Sequence, residues 1–104
     1  SDEDIAKAIN TLIDLRGGIV AIDGTEITTM SLPIAGLMTA VDGVTASNQY
    51  QAVDKVAKKL GSKLSAPFMT LSFMALPVIP NLKMTDLGLF DVQAFNHTNL
   101  FINN

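Results

Sequence analysis

The sequence predicts an α+β fold: a small mixed or antiparallel sheet with two main helices and short extra helical turns. Three observations carry this expectation. Residues 1–15 and 47–60 repeat apolar side chains at helical spacing and are bounded by capping and stop residues. Between them Asp23-Gly24 joins two short apolar runs, a two-residue hairpin signal. The stretch 67–92 is the most apolar of the chain, and Pro67, Pro77, Pro80 and Gly88 leave its backbone few paths. At 104 residues the chain is read as one domain spanning 1–104.

In the first helix Ile5, Ile9, Leu12 and Ile13 share a face. Ser1 and Asp4 have the spacing of a capping box, Asp2 and Glu3 suit the positive helix end, and Gly17-Gly18 stops the helix after Arg16. Residues 19–22 read as a buried strand, with a return strand over 25–32. Its alternation is imperfect, with Ile27 on one face and Met30 and Leu32 on the other, so a bulge is expected. Pro33 can open a short helical turn that puts Ile34, Leu37 and Met38 on one side. Gly36 inside that turn costs about 1 kcal/mol as a helix residue, which points to simple packing or to a close approach of another backbone or a ligand.

Residues 39–45 form a loop around Asp42-Gly43. The second main helix follows, capped by Ser47 or Asn48, with Val53, Val56, Ala57 and Leu60 as its buried stripe, an Asp54–Lys58 pair at i, i+4, and Gly61 as terminator. Ser65 caps a third, short helix with Pro67 in its first turn, on which Phe68, Leu71, Ala75 and Leu76 face one way. Pro77 and Pro80 end it. Residues 82–84 form a strand, 85–88 a turn with Gly88 at positive φ, and 89–92 resume the ladder. Asp91 caps a short turn, and Leu100 and Phe101 dock an Asn-rich tail.

Composition excludes several functions. Net charge is −3, and Lys55, Lys58, Lys59 and Lys63 make the one basic cluster, on a helix face whose ordinary role is solvation, so no nucleic-acid partner is expected. Prolines interrupt the apolar stretch, so no membrane span is expected either. Cysteine is absent, and the opening Ser1-Asp2-Glu3-Asp4 is acidic where a secretory signal is basic. Both predict a cytoplasmic chain. Charged residues make up 16%, low for a small domain, which implies that part of its surface lies against a partner.

No catalytic constellation is present. His97 is the single histidine and cannot with its neighbours supply a hydrolase metal site. Asp42, Asp86 and Asp91 sit in or beside turns, where aspartate is an ordinary cap residue. There is no nucleophile elbow and no phosphate loop. No catalytic, cofactor-binding or metal-ligating residue is therefore assigned.

Two stretches, LPIAGLM at 32–38 and PFMTLSFMALPVIP with TDLGLFDV over 67–92, resemble the C-terminal domain of bacterial adenine deaminases. The opening helix, Gly17-Gly18-Ile19-Val20 and Leu100-Phe101 are similar to that family as well. The family more often carries Lys or Arg at the position of Leu87 and an acidic residue at Asn81, both surface turn positions. The resemblance implies a parent hydrolase of purine metabolism with an amidohydrolase-type barrel. There a divalent metal (manganese, iron or zinc) activates the water that converts adenine to hypoxanthine and ammonia. The ligands of that metal lie in the barrel, and none carries over to this sequence, which holds no cofactor of its own. The implied partners are the catalytic barrel of the same polypeptide and further copies in a homo-oligomer. Gly36, Leu37 and Met38 are the candidate substrate-proximal residues, near the barrel mouth. A free-standing binding module without catalytic activity is the alternative.

Overall fold

The computed structural model describes residues 1–101 as three helices and two small antiparallel sheets, an α+β arrangement. The elements are α1 (Asp2–Asp14), β1 (Gly18–Asp23), β2 (Glu26–Ser31), α2 (Gly43–Lys59), α3 (Pro67–Phe73), β3 (Leu82–Thr85), β4 (Gly88–Asp91) and β5 (Asn96–His97). The chain divides into two compact units, Ser1–Pro67 and Phe68–Asn104.

In the first unit, α1 begins at the expected capping box. The Ser1 hydroxyl accepts from the Asp4 N–H at 3.2 Å and donates to the Asp4 carboxylate at 2.8 Å. The helix ends in a Schellman motif: Arg16 N–H donates to the Ile13 carbonyl and Gly17 N–H to the Leu12 carbonyl. Arg16, at φ +59, takes the left-handed position usually given to glycine. Two positive-φ glycines, Gly17 and Gly18, then turn the chain into β1.

Strands β1 and β2 pair without interruption from Gly18↔Ser31 to Asp23↔Glu26, so the expected bulge is absent. The alternation is regular after all: Met30 is buried, while Ile27, on the opposite face, is 43% exposed. The two-residue loop is Gly24-Thr25, one position later than expected, because Gly24 supplies positive φ (+61) at the first central position. Ala21, Met30 and Val53 are the buried apolar residues among those described. Ala21 and Met30 share the hairpin face that carries Asp23, and α2 packs on it, with Lys59 reaching Asp23 at 2.7 Å.

Helix α2 starts about one turn earlier than expected, capped by Asp42 and not by Ser47 or Asn48. Asp42 Oδ1 accepts from the Val44 and Thr45 N–H groups, both at 3.0 Å, and Oδ2 accepts from the Thr45 hydroxyl at 2.6 Å. Three bonds to one side chain outcompete a later cap. Gly61 ends the helix at φ +105 in a second Schellman motif. Leu60, expected in the buried stripe, is 53% exposed.

In the second unit, the turn after Phe73 continues for three more residues with i→i+3 hydrogen bonds and then stops before Pro77. Apart from Phe68, which is half-buried, the face expected to pack there lies open, with Leu71 63% exposed. Strands β3 and β4 pair from Leu82↔Asp91 to Thr85↔Gly88, and Gly88 has the expected positive φ. Asp91 caps the following turn by accepting from Gln93 and Ala94 N–H at 2.8 and 3.0 Å. The chain then returns as β5, a strand not foreseen, pairing Phe90 with His97. Leu100 and Phe101 do not dock: both are exposed, because no described element covers them. The rest of the expected tail, 102–104, lies outside the described residues.

Candidate functional site

The candidate residues Gly36, Leu37 and Met38 lie in a tight reversal and not in the expected helical turn. Ile34 N–H donates to the Met38 carbonyl, and Leu37 and Met38 N–H both donate to the Ile34 carbonyl, at 3.0–3.1 Å. Ala35 and Gly36 take consecutive positive φ values, +56 and +72, which no right-handed helix accommodates. The loop is fastened to the start of the hairpin, where Leu32 N–H donates to the Gly17 carbonyl at 3.0 Å.

A close backbone approach is present, but its crowded side belongs to a different glycine. A Cβ on Gly17 would stand 2.5 Å from the Gly36 Cα and 3.1 Å from the Leu32 carbonyl oxygen. A Cβ on Gly36 would meet nothing within 4 Å. Gly36 therefore keeps its place through its positive φ, and Gly17 through lack of space. The sequence signal for Gly17 was read as a helix stop, which it also is.

The rim so held is apolar. Leu37 is 77% exposed and Met38 57%. Nothing in it titrates, so it can offer a contact surface or a wall but no proton transfer. The ionisable residues singled out from sequence are dispersed in structural work. The Thr45 hydroxyl, then the Thr45 N–H, hold the Asp42 carboxyl below the usual carboxylate range. Ser1 and then the terminal amine do the same for Asp4. The Asp23 carboxylate raises Lys59 above the usual lysine value. Asp91 is a turn cap, and Asp86 is exposed at the β3–β4 turn. The His97 ring stands edge-on to Phe90 at 5.4 Å. Among the described residues no three His, Asp or Glu side chains converge to hold a metal ion, and no helix is long and apolar enough to cross a membrane.

Sequence reasoning missed one feature. Of the apolar stripe expected on α1, Leu12 packs and the three isoleucines do not. Ile5, Ile9 and Ile13 are 60%, 53% and 66% exposed, while Lys7, Ala8, Thr11, Leu12 and Leu15 are half-buried, and α1 packs on β1. Spacing gives the stripe, but not whether anything covers it.

Residues 1–96 match the family described as adenine deaminase C-terminal domain. The chain is 56% identical over 97 residues to an adenine deaminase of Sulfurovum sp., covering 92% of this chain and 18% of that protein. It is 51% identical over 96 residues to one of Brucella anthropi, covering 91% and 17%. With one of Methanosarcina acetivorans the identity is 46% over 101 residues, covering 97% and 18%. The chain thus spans less than a fifth of the length of these curated relatives. No solved structure matches it. With the family matched over 1–96, and the reversal at 32–38 and the ladder after Pro80 built from the stretches that resemble it, this chain belongs to the adenine deaminase C-terminal domain family.

Proposed function

We propose that the chain is the C-terminal domain of an adenine deaminase, a hydrolase converting adenine to hypoxanthine and ammonia, and that within it these 104 residues are a non-catalytic domain. The observation that carries this is the identity, 56% to the first of the relatives, over nearly the whole chain. Dispersed caps and turns, rather than converging acids and bases, fit the non-catalytic role. Among the described residues no set fits a catalytic metal, because three or more ligands must converge on one point. The divalent metal and the chemistry belong to the barrel in the preceding part of the polypeptide. A cytoplasmic location goes with a free nucleobase as substrate, and assembly into homo-oligomers goes with the low charge content.

The loop at 32–38 is assigned to the mouth of that barrel. Gly17 and Gly36 fix its path, and exposed Leu37 and Met38 are the side chains that meet the barrel or close over the substrate. Leu37→Asp in the full-length protein tests this. At a side chain this exposed, the change alters the domain's own stability by about 0.5 kcal/mol or less. Adenine kcat/KM is expected to fall at least tenfold with the melting temperature unchanged. The matched change Leu87→Asp, at a residue 78% exposed in the β3–β4 turn, is expected to leave kinetics intact. Equal kinetics for the two variants would remove the loop from the barrel mouth.

A further inference from the structure

We propose that the Ile5–Ile9–Ile13 stripe of α1 is the surface on which the larger, N-terminal part of the same polypeptide seats. This rests on reading the chain as the C-terminal domain of a longer enzyme.

Within its own unit, α1 packs a different side on the hairpin. At about 100° per residue, the three isoleucines lie within roughly 80° of one another. The half-buried residues Lys7, Ala8, Thr11 and Leu15 lie around the helix from them, half-buried Leu12 borders them beside Ile5, and α1 packs on β1. The Lys7 ammonium donates to the Gly24 carbonyl at 3.3 Å, which fixes that face to the hairpin. The helix therefore cannot roll its isoleucines inward without breaking its own contacts. The stripe is free of charge along its length, with Asp2, Glu3 and Asp14 at its ends.

The stripe is open to a partner: Ile5, Ile9 and Ile13 are each more than half exposed, on one side of a 13-residue helix.

Two observations choose the occupant. The curated relatives carry more than four fifths of their length outside the matched segment, and the family is named for its C-terminal position. The larger part of the polypeptide is then joined to the N-terminal end of α1, the helix that bears the stripe. A tethered partner acts at an effective concentration of order millimolar, far above that of a second copy in dilute solution.

The test uses the full-length protein with the photocrosslinker p-benzoylphenylalanine at position 9. Crosslinks within one polypeptide, to peptides of the larger N-terminal part, are expected. A product of dimer mass, or no crosslinked peptide, would overturn the proposal in favour of a second copy or a solvent-facing helix. As an independent measurement, Ile9→Lys is expected to speed protease release of the domain at least tenfold, against no change for Asn10→Lys on the polar side. Equal release rates for the two would also overturn it. Adenine turnover of the unmodified protein is measured alongside, so that an incorrect deaminase assignment shows itself separately from an incorrect docking face.

Discussion

Replacing Gly17 by alanine is expected to be far more disruptive than replacing Gly36, although both have positive φ. At Gly17 the new Cβ stands 2.5 Å from a backbone Cα and 3.1 Å from a carbonyl oxygen, neither of which can swing away as a flexible side chain would. Its φ of +112 lies outside the left-handed well that other residues occasionally use, a strain of about 1–3 kcal/mol. Relieving the clash parts the loop from the hairpin and lengthens the Leu32–Gly17 hydrogen bond, for about 1 kcal/mol more. The total is about 2–4 kcal/mol, or about 10–20 °C in melting temperature for a domain of this size. At Gly36 the Cβ enters open space and only the left-handed penalty of about 1–2 kcal/mol applies, roughly 5–10 °C. Gly43→Ala, with no positive φ and no neighbour within 4 Å, is the matched control and is expected to be neutral or slightly stabilising. Thermal unfolding followed by circular dichroism, with urea melts to check a constant m-value, reads all three. Gly17→Ala as stable as Gly36→Ala would refute the packing of the loop on the hairpin.

Two other outcomes follow from the same structure. Val53→Ala removes two methyl groups from a side chain with no exposure, and loses about 2–3 kcal/mol from transfer and cavity together, read by the same melts. The pH dependence of stability has a worked sign. Asp4 and Asp42 have lowered carboxyl values, so their contribution is full above the ordinary 3.8 and is lost as pH falls through the folded values. Lys59 is raised, so its contribution is full below the ordinary 10.5 and is lost as pH rises through its folded value. These three groups therefore leave melting temperature flat between about pH 4 and 10 and lower it outside that window.

Local chemistry was the legible part of this chain. Ser1 with Asp4, Gly61 after α2, Gly88 in the β3–β4 turn and Asp91 before Gln93 each satisfy nearby backbone groups, so neighbouring residues suffice to read them. Errors arose where one dipeptide carries two signals. Asp42-Gly43 fits a turn and a helix start equally, and the Thr45 hydroxyl decided for the helix start. Asp23-Gly24 fits a hairpin loop, but Gly24-Thr25 fits with positive φ at its first position. The β5 strand is two residues long and carries no periodicity to read. At the candidate site the glycine signal was visible at Gly36, but which of the two backbones is crowded depends on where residues 17 and 36 meet, 19 positions apart. Likewise the isoleucine stripe of α1 is written in the spacing, whereas its exposure depends on what the rest of the fold can reach.

Ammonia release from adenine, measured in parallel on the full-length protein and on the isolated 104 residues, tests most directly whether this is a non-catalytic domain of a deaminase. Both samples are freed of host deaminase and supplied with manganese, iron or zinc. The full-length protein is expected to turn over adenine to hypoxanthine, and the isolated domain to release no ammonia and hold no stoichiometric metal. Turnover by the isolated domain would contradict the account and place an active site among residues that serve here as caps and turns.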